Sequence, residues 1–201
     1  MNGEFLGTRE YGEVWALQKE LVGRRALGEI PATLLLVEHP PVYTLGSSSK
    51  NRPPASLPHP LHVVERGGDI TYHGPGQLVG YPILGLKDRK LKPRSYLRTL
   101  EDVIISALKG MGLEAERLRG FTGVWVRGRK VASIGVAVQG DVSFHGFSLN
   151  VNCDLEPFRL IYPCRLEPGQ MTTVESLLGR PVAGADARRM VTEAFLSRFG
   201  N

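Results

Sequence analysis

Lys130-Val131-Ala132-Ser133-Ile134-Gly135-Val136-Ala137-Val138-Gln139, then Gly140-Asp141, then Val142-Ser143-Phe144-His145-Gly146-Phe147-Ser148-Leu149-Asn150-Val151-Asn152, is the stretch that decides the fold. Both runs are rich in β-branched and aromatic residues, and the pair between them is a turn signal. Strands this close in sequence pair antiparallel, because a parallel return needs a crossover of about a dozen residues or more. Residues 123–127, set off by Gly128, add a third strand in the same way.

Working outward, the period changes. Over residues 93–111, Leu97, Leu100, Ile104, Ala107, Leu108 and Met111 recur at helical spacing, behind an N-terminal Pro93 and ahead of Gly110 and Gly112. Residues 9–27 place Tyr11, Val14, Trp15, Gln18, Leu21 and Val22 on one helical face, and Gly28 ends that helix. A last helix is expected over residues 186–199. Residues 33–45 read as a buried strand, interrupted by Pro40-Pro41 and resumed at Val42-Tyr43-Thr44. Residues 46–60 read as a surface loop, and 61–84 as strand, glycine turn, strand. Helices and hairpin-paired strands in this irregular order predict an α/β (α+β) domain with a mixed sheet, not a doubly wound nucleotide fold.

The chain has 201 residues, 42% of them apolar, which suffices for one core-forming domain over 1–201. It has no run of eighteen apolar residues, so no membrane span is expected. The N-terminus lacks the basic-then-apolar pattern of a secretory signal. Two cysteines, Cys153 and Cys164, make no disulfide framework, and a reducing, cytoplasmic setting is the simpler reading. A net charge of +5, without a block of like charges or a nucleic-acid-binding signature, favours acidic partners in general and gives no reason to expect nucleic acid.

The most unusual stretch is Arg66-Gly67-Gly68-Asp69-Ile70-Thr71-Tyr72-His73-Gly74-Pro75-Gly76-Gln77. Its glycines let backbone approach a ligand closely, and polar groups are interleaved. It lacks the Gly-Lys-Ser/Thr of a phosphate loop and the glycine spacing of a dinucleotide site. It can hold a phosphate or pack against an acyl chain, or serve as a hairpin connection only. Cys164, between Pro163 and Arg165, has the setting of an exposed loop, whereas Cys153 ends an apolar alternation and reads as a core residue. Lys130 opens an apolar strand; it points to solvent, or inward as a candidate general base. His39, His59 and His62 have no ligand spacing, so no metal site is expected.

Several segments together resemble the octanoyltransferases of lipoate synthesis. They are Glu38-His39-Pro40-Pro41-Val42-Tyr43-Thr44-Leu45-Gly46, the Arg66–Gln77 block, Arg129-Lys130-Val131-Ala132-Ser133-Ile134-Gly135-Val136, His145-Gly146-Phe147-Ser148-Leu149-Asn150-Val151-Asn152 and Pro163-Cys164. They appear in the family's order and span about residues 10 to 180. The resemblance implies a mixed sheet flanked by helices with a smaller second sheet, like the biotin and lipoate protein ligase catalytic domain. It implies transfer of octanoyl from octanoyl-acyl carrier protein to a lysine of lipoyl domains, those of 2-oxoacid dehydrogenases and the glycine cleavage H protein. No cofactor or metal is implied, and a cytoplasmic monomer is expected.

By the same resemblance Cys164 carries the acyl group and Lys130 lowers its pKa. Arg66, Gly67, Gly68, Asp69, Ile70, Thr71, Tyr72, His73, Ser133, Ile134, Gly135, Gly146, Phe147 and Ser148 match substrate-binding segments. The chain departs from the family at Arg165, where glycine usually follows the cysteine. Three other readings use related features: an ATP-dependent lipoate or biotin ligase, an amidotransferase between lipoyl-type proteins, and a module that only binds acylated carriers.

Overall fold

The three adjacent strand runs of the second half form β7 (Val124–Val126), β8 (Arg129–Gln139) and β9 (Val142–Asn150), paired antiparallel in that order. A computed structural model describes residues 1–49, 53–161 and 169–200. Arg127 and Gly128, between β7 and β8, have φ of 50° and 73°, the doubly left-handed backbone of a tight type I′ hairpin. Gly140 takes φ 62° at the next turn, ahead of Asp141.

On its other edge β9 pairs with β6 (Gln77–Ile83), β6 with β2 (Thr33–Glu38), and β2 with β1 (Asn2–Thr8). The sheet order is β1-β2-β6-β9-β8-β7. β1 and β2 run parallel, with helix α1 (Tyr11–Ala26) as their crossover. β2 is an unbroken apolar run because both of its faces are covered. Leu34 and Leu36 enter a core shared with α2 (Pro93–Gly110) and α4 (Gly184–Phe199), while Leu35 and Val37 pack under α1 with Tyr11 and Val14. The short helix α3 (Val174–Leu178) lies between β9 and α4 in the chain.

Residues 33–45 are not one resumed strand. After β2 ends at Glu38, the prolines, which cannot donate to a ladder, turn the chain out of the main sheet. β3 (Val42–Leu45) belongs to a second sheet, order β4-β3-β5, with β4 (Leu61–Val63) and β5 (Ile70–His73). The architecture is therefore the expected one, a mixed main sheet with helices and a smaller sheet beside it. Tyr43, Ile70 and Tyr72 of the small sheet share a third core with Phe158, Ile161 and Met171. Among the described residues, no helix is long and apolar enough to cross a membrane.

Candidate active site

A slot runs between the two sheets. Successive residues of β5 point to opposite faces, so Thr71 and His73 line the slot while Ile70 and Tyr72 enter the third core. The facing wall comes from the β8–β9 pair, where Ser133 sits opposite Ser148 and Gly135 opposite Gly146. Arg66, Gly67 and Gly68 close one side, with the Gly67 N–H donating to the Val136 carbonyl at 2.9 Å. Two glycines permit close approaches, one across this edge of the slot and one between β6 and β9 within the main sheet. A Cβ on Gly135 would lie 2.8 Å from the Gly67 carbonyl oxygen, and one on Gly146 would lie 2.1 Å from that of Gly80.

The slot's polar groups are held by a buried network. The Arg66 guanidinium donates to the Thr44 carbonyl at 2.7 Å and to its hydroxyl at 2.9 Å. His73 donates from Nδ1 to Gln77 Oε1 at 2.6 Å; Gln77 Nε2 donates to Asn150 Oδ1 at 2.9 Å, and Asn150 Nδ2 to the Thr172 carbonyl at 3.1 Å. His39 donates to the Arg9 carbonyl at 2.7 Å and accepts from the Tyr81 hydroxyl at 2.9 Å. Burial, first of all, pushes the pKa of His73 down to about 3 and those of His39 and His145 to about 4, so all three rings are neutral at neutral pH.

His145 stands out. It has φ 53° in the middle of a strand, a left-handed conformation rare for a residue with a side chain. Its backbone N–H donates to Gln18 Oε1 at 2.8 Å, and its Nε2 to Glu65 at 3.3 Å, with Glu65 also held by Trp15 at 2.9 Å. That leaves Nδ1 as a buried lone pair with no partner among the described residues, on the wall of the slot. The Thr71 hydroxyl is in the same position. Such atoms are costly unless something in the slot meets them.

Of the residues expected at the site, Arg66, Gly67, Gly68, Thr71, His73, Ser133, Ile134, Gly135, Gly146, Phe147 and Ser148 converge on the slot. Asp69 turns away and accepts from the Ile70 N–H at 2.8 Å, on an outer cavity. Ile70 and Tyr72 are core residues of the small sheet. Tyr11, Val79, Tyr81 and His145 line the slot without having been expected there. Tyr11 and Tyr81 reach it from elements whose sequence signal is an ordinary apolar stripe. His145 had one signal, its place beside Gly146 in a strand too apolar to need a histidine.

Lys130 points inward and is 1% exposed, which decides against a solvent-facing side chain. Its Nζ lies over the Trp125 ring, 5.2 Å from the centroid, and Gly123 leaves room for it, since a Cβ there would stand 2.6 Å from the Lys130 Cε. Its backbone is gripped from the far side of the chain: the Lys130 N–H donates to the Gln170 carbonyl and its carbonyl accepts from the Thr172 N–H, both at 2.9 Å. Cys164 and Arg165 lie outside the described residues. Ile161, before them, and Met171, after them, are both buried in the third core. Cys153 is a core residue as expected; burial pushes its thiol up to about 12, so it stays protonated.

Residues 10–196 match the model of the lipoyl protein ligase A/B catalytic domain. The chain is 46% identical over 204 residues to an octanoyltransferase of Rubrobacter xylanophilus, covering 97% of this chain and 91% of that one. A lipoate-protein ligase A solved with ATP superposes with a TM-score of 0.79 at 16% identity, covering 100% of this chain and 86% of that one. For a biotin protein ligase from Aquifex aeolicus the TM-score is 0.58 at 14% identity, with 100% and 69% covered. At such identities the two solved structures speak for the fold alone, while the sequence relative speaks for the branch. The chain belongs to the lipoyl protein ligase A/B catalytic-domain family and, within it, to the octanoyltransferases, which are acyltransferases.

Proposed function

We propose that this chain acts as one cytoplasmic, monomeric catalytic domain that moves octanoyl from octanoyl-acyl carrier protein to a lysine of lipoyl domains through a thioester on Cys164. The acceptors are the lipoyl domains of 2-oxoacid dehydrogenases and the glycine cleavage H protein. The observation that carries this reading is the slot between the sheets, closed at one edge where Gly135 meets Gly67 and walled by Thr71, His73, Ser133, Gly146 and Ser148. Burying the chain's six methylenes there is worth roughly 5 kcal/mol at about 0.8 each.

The chemistry follows from what each residue can do. The Cys164 thiolate attacks the carrier thioester, and the carrier thiolate leaves, taking a proton from the Lys130 ammonium. The acceptor lysine's amine then attacks the acyl-enzyme, gives a proton back to Lys130, and expels the Cys164 thiolate. An ammonium beside a thiolate stabilises it, and a lysine amine can hand a proton to a leaving thiolate and take one from an attacking amine. The thioester donor is already activated, so the cycle uses no nucleotide.

Intact mass measurement after incubation with octanoyl carrier protein tests the reading. One octanoyl adduct is expected, released by hydroxylamine, absent in Cys164→Ser and formed without ATP. An adduct that persists in Cys164→Ser defeats the nucleophile assignment. Transfer that requires free octanoate and ATP establishes instead the ligase chemistry that the shared fold also accommodates.

A further inference from the structure

The glycine side that closes the slot also faces outward. Its walls at Gly67, Gly68, Ile134 and Gly135 are shared with an outer cavity that continues over Asp69 and Val136. That cavity shares Leu97, Gly120, Phe121 and Thr122 with a groove edged by Arg94, Arg98, Glu101 and Arg119. The outer cavity and this groove thus form a trough that begins across the Gly67–Gly135 wall from the slot and reaches the N-terminal half of α2 and the loop that precedes β7.

The charges along this trough are unevenly satisfied. Glu101 is fully buried and collects Arg98 at 2.7 Å, Arg117 at 2.8 Å and the Gly123 N–H at 3.1 Å. Arg117 also meets Asp102. Arg94 and Arg119, both exposed, make no ion pair among the described residues. Phe121, 36% exposed, lines the groove with both of them, and Leu118, next to Arg119 in the chain, is 41% exposed. Phe121 packs edge-on against Trp125, 6.3 Å between centroids, and Trp125 carries the Lys130 ammonium on its face. The patch is therefore joined through two aromatic rings to the proposed catalytic lysine.

We propose that this basic and apolar trough is the docking surface for the acyl donor: an acidic carrier protein whose acyl group rides a long, phosphate-bearing arm. The proposal rests on the donor reading given above. Two unneutralised arginines flanking an aromatic side chain suit an anionic partner with some apolar contact. The trough's length separates the donor from the acceptor. A lysine side chain is short, so an acceptor domain must sit directly over the reacting atoms. A long arm needs a path, and its phosphate needs cations far from the thioester.

The double variant Arg94→Glu, Arg119→Glu tests this in the full chain, with thermal melting to confirm the fold. With octanoyl carrier protein, KM should rise at least about tenfold, kcat should hold, and the salt dependence of kcat/KM should flatten. With octanoyl-pantetheine, which has neither phosphate nor protein, and with the lipoyl-domain KM, changes should stay within about twofold. An unchanged carrier KM overturns the docking surface while leaving the donor reading intact. A raised lipoyl-domain KM with an unchanged carrier KM reassigns the trough to the acceptor and overturns the proposal. If neither protein accepts the carrier donor and both use octanoate with ATP, the donor reading and the docking surface fall together.

Discussion

Gln18, on the first helix, accepts a hydrogen bond at 2.8 Å from the backbone N–H of His145, 127 residues further along the chain. It does so where φ is 53°, so a fully buried side chain holds a strained backbone in place. Gln18→Ala removes that acceptor and leaves a buried N–H unpaired. It should cost about 1–3 kcal/mol of stability in urea unfolding, with acyl transfer falling more than the folded fraction does. A variant as stable as the parent would mean that the His145 backbone needs no external anchor.

Gly146 and Gly23 make a matched pair of alanine substitutions. At Gly146 the new methyl would stand 2.1 Å from a backbone oxygen, which only moves if β6 and β9 part. Gly146→Ala should lose about 3 kcal/mol or more, or fail to yield folded protein. At Gly23, inside α1, a Cβ has nothing within 4 Å, and alanine should add about 0.5–1 kcal/mol. Equal thermal shifts for the two would contradict the close β6–β9 approach at Gly146.

The neutral histidines predict how stability follows pH. Above about pH 6.5 the rings are neutral in the folded and unfolded chain alike and add no slope. Below it the unfolded chain takes up protons, while His39 and His145 resist to about 4 and His73 to about 3. Stability should therefore fall as the pH falls through this window, by up to about 1.4 kcal/mol per pH unit per histidine. Urea midpoints at pH 7, 6 and 5 should drop progressively, and less steeply in His73→Asn. Flat midpoints over that range would show that the rings titrate normally in the fold.

Lys130 separates charge from proton transfer. Lys130→Ala should raise the pH at which Cys164 is alkylated, because the cation is gone. Lys130→Arg keeps a cation that does not readily release a proton, so it should retain much of the thiolate and lose turnover. Its melting temperature should also fall, since Gly123 and Trp125 crowd the site and leave little room for a longer, planar group. Wild-type turnover in Lys130→Arg would remove the proton shuttle from the mechanism.

The parts that the sequence made legible are those with strong local signals. Helix α2, with its proline start and apolar stripe, runs from Pro93 to Gly110, against an expectation of 93–111. The β7–β9 hairpins fall within a few residues of the expected runs. β1 was not legible: its residues are mostly exposed at an edge, with two glycines and no alternation, and it exists because β2 offers a parallel partner. The split of 33–45 between two sheets was hidden for a similar reason, since proline marks a break and not a destination. At the site, the glycine-rich block stands out by composition, while the Lys130 strand enters through its resemblance to the octanoyltransferases. Asp69, Ile70 and Tyr72 came along as neighbours in that block, and a strand's alternation sends such neighbours to other faces. Tyr11 and Tyr81 reach the slot only through tertiary packing, which no local pattern encodes, and His145 offers no more than its place beside Gly146.

Glu101 has a consequence for binding entropy. One enclosed carboxylate fixes Arg98 on α2, Arg117 on the following loop and the Gly123 amide at the start of β7. The loop that carries Phe121 is thereby ordered before any substrate arrives. The conformational freedom it would otherwise surrender in each encounter is given up once, during folding, so an incoming partner has mainly its own freedom to lose.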